Sequence, residues 1–293
     1  WREGLTFSTH NGKINHLRTV LQSKPLRFLK DIRALDLSCY DLVICDFEPV
    51  TSWSARRQGK KTVGFSHQYA FQYNIPRAGS DPMSELVLKK FAPVDFGIGL
   101  HWHHFDQPLL PPVIETPFNA EQLRKNKIVV YLPFENQQHI IKLFSRFKDF
   151  EFHIYSPEMI PSPFTHIFCK PLSLTGFQKD LADCAGIICN AGFELASESL
   201  QLGKKILVKP VHAQMEQASN AAALKALGYG HTMQTVDAAI IEEWLYITKA
   251  LRVTFPNTAK HLVQWIKAGM PPIDQSWCHQ IWSEVKIIPV DLA

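Results

Sequence analysis

The chain has 293 residues, is 46% hydrophobic and 20% charged, and carries a formal net charge of +4. That composition is globular and long enough for two ordinary domains, which excludes a disordered or low-complexity protein. Lys and Arg are scattered and do not interleave with aromatics, which argues against a nucleic-acid partner, while the mild positive charge suits acidic ligands or an anionic membrane surface. The six cysteines, Cys39, Cys45, Cys169, Cys184, Cys189 and Cys278, form no C-x-x-C pair, and several sit in apolar runs. They read as buried reduced thiols of a cytoplasmic protein. No apolar stretch approaches the roughly 20 residues of a membrane span, so contact with the inner membrane surface would be peripheral. No charged-then-apolar leader is visible, and Trp1 in place of Met reads as the start of a fragment.

In chain order, Thr6 to Thr9 followed by His10-Asn-Gly-Lys13 reads as a strand entering a tight turn. Leu17, Val20 and Leu21, then Leu26, Leu29 and Ile32 after Pro25, recur at helical spacing. Asp41 to Asp46 is an apolar run with polar ends, a central strand of an α/β sheet, and Pro49 suits the first turn of the helix that follows. Lys61 to Phe65 is the next strand, ending at Ser66-His67-Gln68; a helix around Met83 to Phe91 and a strand from Val94 to Leu100 complete a βαβαβ series. Between Asp106 and Pro117 stand Pro108, Pro111, Pro112 and Pro117, a density that disfavours helix and ladder alike and marks a stiff connector.

Alternation resumes with a strand at Lys127 to Leu132, a helix at Gln138 to Phe147, a strand at Phe152 to Tyr155, a proline-rich loop and a helix at Leu174 to Asp183. Ile187 to Cys189 reads as a buried strand that breaks at Asn190-Ala191-Gly192 into a helix with Leu195, Ser199 and Leu202 on one face; Gly203 stops it, and Ile206 to Val208 is the next strand. A helix from Glu216 to Leu227, a strand at Tyr229 to Met233, a helix from Asp237 to Ala250 and a final helical segment from Trp277 to Val285 follow. The pattern predicts two doubly wound α/β domains, residues 1–112 and 113–272, with residues 273–293 packing back on the first.

The unit around residue 190 carries the chemistry. A strand, a glycine turn and a helix start lie at the carboxyl edge of a parallel sheet, where free N–H groups and the helix dipole favour an anion, phosphate first of all. Glu194 and Glu198, one turn apart, can accept the vicinal hydroxyls of a ribose or simply complement the dipole. Glu216, Gln217 and Asn220 open the helix after the next strand and offer acceptors and donors to sugar hydroxyls, or serve as polar caps.

Asn190-x-Gly192 with Glu198, then Leu202-Gly203-Lys204 and Pro210, then Glu216-Gln217-x-x-Asn220-Ala221, resembles the donor signature of two-domain nucleotide-sugar glycosyltransferases of the GT-B fold. It is also similar to that of the lipid-carrier N-acetylglucosamine transferases. Asp41 to Gln68 and His101-Trp-His-His104 to Pro112 resemble more closely an uncharacterised bacterial and archaeal branch of the group. The resemblance implies two Rossmann-like domains facing a cleft, acceptor side first and donor side second. It implies that Asn190, Ala191 and Gly192 hold the diphosphate, Glu198 the ribose, and Glu216 with Gln217 the transferred sugar. Phe193, Glu194, His212 and Asn220 complete the expected donor-binding set. Many members have His where Asn190 stands and Gly where Ala191 stands; they also begin with a Gly-rich loop containing Gly-His, which this chain does not show.

After a strand, at a sheet edge facing the cleft, His67 has the chemistry of a general base for an acceptor hydroxyl, with Asp46 and Glu48 as rivals. His101, His103 and His104 lack a second motif that would fix a metal, and line the cleft instead. No Asp-x-Asp motif stands in a suitable loop, so the expected reaction uses neither a metal nor a cofactor. A nucleoside diphosphate sugar, UDP-linked, gives its hexose, GlcNAc being one candidate, to a glycan, lipid or small-molecule acceptor. The alternatives are a UDP-sugar 2-epimerase, against which His212 to Gln217 stands where those enzymes carry a Thr-Glu-Arg-Pro-Glu type segment, and a non-catalytic nucleotide-sugar-binding relative.

Overall fold

The structure is a computed structural model. It describes residues 9–10, 13–14, 25–79, 82–115, 122–158 and 160–292. The predicted helical positions Leu17 to Leu21 and most of the predicted first strand lie outside the described residues.

The first half contains a two-strand antiparallel pair, β1 (Thr9–His10) and β2 (Lys13–Ile14). Then come α1 (Pro25–Ala34), β3 (Leu42–Cys45), α2 (Pro49–Arg57), β4 (Lys61–Ser66), a 3-10 turn (His67–Gln72), α3 (Pro82–Lys90) and β5 (Phe96–Gly99). Strands β3, β4 and β5 form a parallel sheet in that order, so their carboxyl ends, at Cys45, Ser66 and Gly99, share one edge. Gly99 is required here: a Cβ at this position would stand 2.6 Å from the Ala70 backbone.

The second half contains β6 (Arg124–Tyr131), α4 (Gln137–Phe144), β7 (Glu151–Tyr155), β8 (Ile167–Lys170), α5 (Leu174–Asp183), β9 (Cys184–Cys189), α6 (Phe193–Gln201), β10 (Lys205–Val208), α7 (Met215–Ala226), β11 (His231–Thr232) and α8 (Ala238–Leu245). Its six-stranded sheet runs β11-β10-β9-β6-β7-β8 and is parallel throughout. Strand β9 is buried along its whole length. Its side chains alternate between two cores: Ile187 and Cys189 join the larger one, Ile188 the one on the opposite face. A buried strand with helices on both faces accounts for the continuous apolar run in the sequence. Gly203, at φ +69°, ends α6 as the sequence predicts.

Two strands escape the sequence reading. β8 falls in the stretch read as a proline-rich loop, and β12 (Lys249–Thr254) begins inside the predicted helix Asp237 to Ala250, which stops at Leu245. From β12 the chain crosses to the first half as α9 (Thr258–Lys267) and α10 (Gln275–Trp282), then returns as β13 (Lys286–Asp291), antiparallel to β12. The crossing therefore starts before residue 273 and contains two helices and a closing strand. Trp265 of α9 meets Phe65 edge-on at 6.5 Å; Trp282 of α10 donates to the Leu109 carbonyl at 2.7 Å, and Gln275 to that of Asp106 at 2.8 Å. The larger core accordingly runs unbroken from Val63 and Ile98 in the first half to Val129 and Ile187 in the second.

Candidate active site

Two helix N-termini of the second half point at the first half from the carboxyl edge of the six-stranded sheet. Where the N-cap of an α-helix is described, a side chain satisfies its first turn in α2, α4, α5, α8, α9 and α10. In α6 and α7 no side chain does. Both are the helices that the sequence places after the glycine turn and at Glu216. Neither N-cap residue, Gly192 or Gln214, caps its helix, and each first turn carries a glutamate, Glu194 or Glu216, at the positive end of the dipole.

The turn itself is tied down from behind. Gly192 N–H donates to the Asn190 carbonyl at 2.8 Å. The Asn190 side-chain NH2, expected to meet phosphate, instead donates to the Lys209 carbonyl at 2.8 Å and joins the ends of β9 and β10. Its Oδ1 is buried with no partner, and so is Oε1 of Gln214 just before α7. Ala191 is buried beneath the turn, and His212 is exposed on the neighbouring loop. Gln217 uses its Oε1 to accept from Val211 N–H at 2.9 Å, so part of the expected sugar ligand is a loop brace. Asn220 departs further: it is 1% exposed and lies between the Ala191 carbonyl and His67, with both ends of its amide used inside the protein.

The acidic residues remain available. Glu194 is exposed and Glu198 half-buried on α6, one turn apart. Desolvation in the cleft, and then mutual repulsion, raise the Glu198 carboxyl above its ordinary range; Glu194 is raised by desolvation first and by Glu216 and Asp46 as well. Burial likewise raises Glu216, against a hydrogen bond at 3.2 Å from Gln68 of the first half.

His67, expected as a general base, occupies a different place. It is 1% exposed, with Nδ1 2.9 Å from the Leu100 carbonyl and Nε2 2.6 Å from Asn220 Oδ1, so neither nitrogen is open to an acceptor hydroxyl. Its ring stacks on Phe193, the first residue of α6, at 4.0 Å and 6°. Trp102, wholly buried, stacks on Phe193 at 4.9 Å. Glu48 also leaves the list of bases, since its carboxylate caps α2 through Val50 N–H at 2.8 Å and Thr51 N–H at 2.7 Å.

Asp46 keeps its candidacy. It is exposed just past β3 and lines a cavity of about 340 Å³ with Glu194 across from it. Ile44, Phe65 and Val113 form one apolar wall of that cavity, and Leu262, Val263 and Ile266 of α9 another. Sequence reasoning missed the α9 wall, because nothing in the local pattern of residues 258–267 says which half they cover. Trp102, Ser197, Gln68 and Ser219, which link the halves, were missed for the same reason.

The histidine run divides. His101 is buried, and burial with two neighbouring histidines holds its pKa well below the usual value. His103 and His104 brace their own turn by accepting from Phe105 and Asp106 N–H at 2.9 Å. His104, Asp106 and His279 of α10 gather closely enough to invite a metal, but the Nδ1 lone pair of His104 already takes that backbone hydrogen, and none of the three lines the cavity.

Residues 2–248 match the family model of glycosyl transferase family 1. The chain belongs to that family. It is a nucleotide-sugar glycosyltransferase of the GT-B fold, and the match singles out no lipid-carrier branch. Among solved structures this family 1 chain is similar to the glycotransferase of kitacinnamycin (11% identity, TM-score 0.52, covering 91% of this chain and 82% of that one). It is also similar to the spinosyn rhamnosyltransferase SpnG (14% identity, TM-score 0.50, covering 91% and 74%). At these identities the likeness establishes the shared fold, two Rossmann-like domains. No curated protein matches the chain. No helix among the described residues is long and apolar enough to cross a membrane.

Proposed function

We propose that this glycosyltransferase binds the diphosphate of a nucleoside diphosphate sugar at the N-termini of α6 and α7 and transfers its hexose to a hydroxyl of an acceptor lying in the adjoining cavity. The observation that carries this reading is the pair of side-chain-uncapped helix ends beside Glu194, Glu198 and Glu216. Loop N–H groups and two helix dipoles can stabilise the leaving diphosphate without a metal ion. Glu198 suits the ribose hydroxyls, and Glu216 the sugar. Asn190 has its NH2 engaged, so its orphaned Oδ1 suits a hydroxyl hydrogen of the donor and not a phosphate oxygen. Asp46 is the general base, because it reaches the cavity with a carboxylate while His67 does not offer a free nitrogen. The apolar walls favour an acceptor with a hydrophobic body and a hydroxyl between Asp46 and Glu194.

Calorimetric titration with UDP, GDP and TDP sugars tests the donor half; binding of one of them with micromolar to millimolar affinity is expected, and no binding of any would overturn the reading. Addition of a chelator should leave turnover unchanged, and its collapse would overturn the metal-free scheme. Formation of ManNAc from UDP-GlcNAc alone would favour a 2-epimerase instead.

A further inference from the structure

His67 faces oxygen on both sides. The Leu100 carbonyl, 2.9 Å from Nδ1, has no proton to give, so Nδ1 carries one. Nε2 stands 2.6 Å from Asn220 Oδ1, whose amide nitrogen donates to the Ala191 carbonyl at 3.0 Å. Turning the Asn220 amide over would set Oδ1 against the Ala191 carbonyl, acceptor against acceptor, and lose that bond. A neutral imidazole bears one proton, and only the doubly protonated ring satisfies both oxygens. The 2.6 Å separation is short, as charge-assisted hydrogen bonds are.

The ring also lies flat on Phe193 at 4.0 Å, immediately behind the turn at Asn190 to Gly192. We propose that His67 is held as an imidazolium between Leu100 and Asn220, and that it places a positive charge from the first half behind the turn that receives the donor's diphosphate. The second clause rests on the donor site proposed above. His67 is thus a positioning and electrostatic residue, acting through the turn, and not the base. Burial is the largest influence on the ring and lowers its pKa on balance, while the hydrogen bonds to Leu100 and Asn220 and then the charge of Glu194 of α6 act the other way; the His101 ring stands 5.2 Å off. Glu216 of α7 lies one residue away through Gln68, and Asp46 across the shared cavity.

Nitrogen NMR of the full chain labelled at histidine decides the charge directly. At pH 7 His67 should show both nitrogens protonated, a signal assigned to it by its loss in His67→Gln. A pattern with one bare nitrogen for His67 would overturn the proposal. Asn220→Asp, which keeps a partner for the ring, should hold the imidazolium to higher pH than the wild type; an unchanged titration would also overturn it. Calorimetry with UDP and with uridine tests the role. His67→Gln should weaken UDP about tenfold, the size of one lost charge-assisted interaction, and leave uridine unchanged. Equal losses for both would remove the charge from diphosphate binding. No UDP, GDP or TDP binding by the wild type would instead overturn the donor site, and the NMR pattern would still judge the protonation.

Discussion

The indole N–H of Trp102 donates to the hydroxyl of Ser197 at 2.8 Å, which fastens the turn after β5 to the middle of α6. Ser197 in turn donates to the Phe193 carbonyl, so one hydroxyl ties the first half to the start of α6. Ser197→Ala would leave the wholly buried indole N–H without a partner. A loss of about 1–3 kcal/mol in unfolding free energy is expected, read as a lower denaturation midpoint in urea.

Asp46 and His67 separate cleanly in a kinetic experiment. Asp46→Asn keeps shape and removes the proton acceptor, so turnover should fall by a factor on the order of 10² to 10⁴ with little change in donor affinity. Full turnover in Asp46→Asn would remove Asp46 from the mechanism.

Glu198→Gln tests the proposed ribose contact. Replacing the carboxylate with an amide keeps the volume and loses the paired acceptors, so both nucleoside and nucleoside diphosphate affinity should drop about tenfold. An equal loss for uridine and UDP is the expected pattern, in contrast to that for His67→Gln. Because desolvation and Glu194 raise the Glu198 carboxyl, the wild type should begin to lose affinity on acidification at a pH above the ordinary glutamate range. Calorimetry across a pH series checks this.

Asp180 anchors a buried network against β6, β7 and β8 of the same sheet. Its carboxylate accepts from Lys127 at 2.9 Å, His153 at 2.7 Å, and Tyr155 and Lys170 at 2.6 Å. Burial alone would raise its pKa, but the hydrogen bonds from His153, Lys170, Tyr155 and Lys127 together hold it well below the usual value. A carboxyl depressed in the folded state adds stability above its unfolded pKa, near 4. That stability is lost as pH falls from there toward the folded value. Asp180→Ala should cost about 1–3 kcal/mol at pH 7, because Lys127 and His153 each lose one buried partner while keeping Asp183 and Glu151. The denaturation midpoint of the variant should also vary less than that of the wild type on acidification below pH 4.

Periodicity carried most of the fold. The apolar run ending at Cys189, the glycine turn and the stop at Gly203 are local features, each with a physical signature in neighbouring residues. β8 and β12 lacked one: Ile167–Lys170 is short and follows prolines, and Lys249–Thr254 continues directly from a helical stretch. At the site, the glycine turn after β9 and the acidic residues of α6 were legible. The roles of Asn220 and His67 were not, since they are partners 153 positions apart and each has side-chain chemistry that fits a ligand equally well. A polar residue at a sheet edge can face a substrate or another part of the chain, and only the topology of the second half against the first decides which.

The antiparallel pairing of β12 with β13 closes α9 and α10 into a buckle. Its base is a ladder of paired positions from Lys249 with Asp291 to Thr254 with Lys286, seated beside α6, and its far end bears on Phe65, Asp106 and Leu109 of the first half. Any swing of one half away from the other has to slide these two helices across that surface or bend the ladder at its root. The buckle also supplies Leu262, Val263 and Ile266 to the cavity beside Asp46, so the width of that cavity and the angle between the halves are set by the same piece of chain.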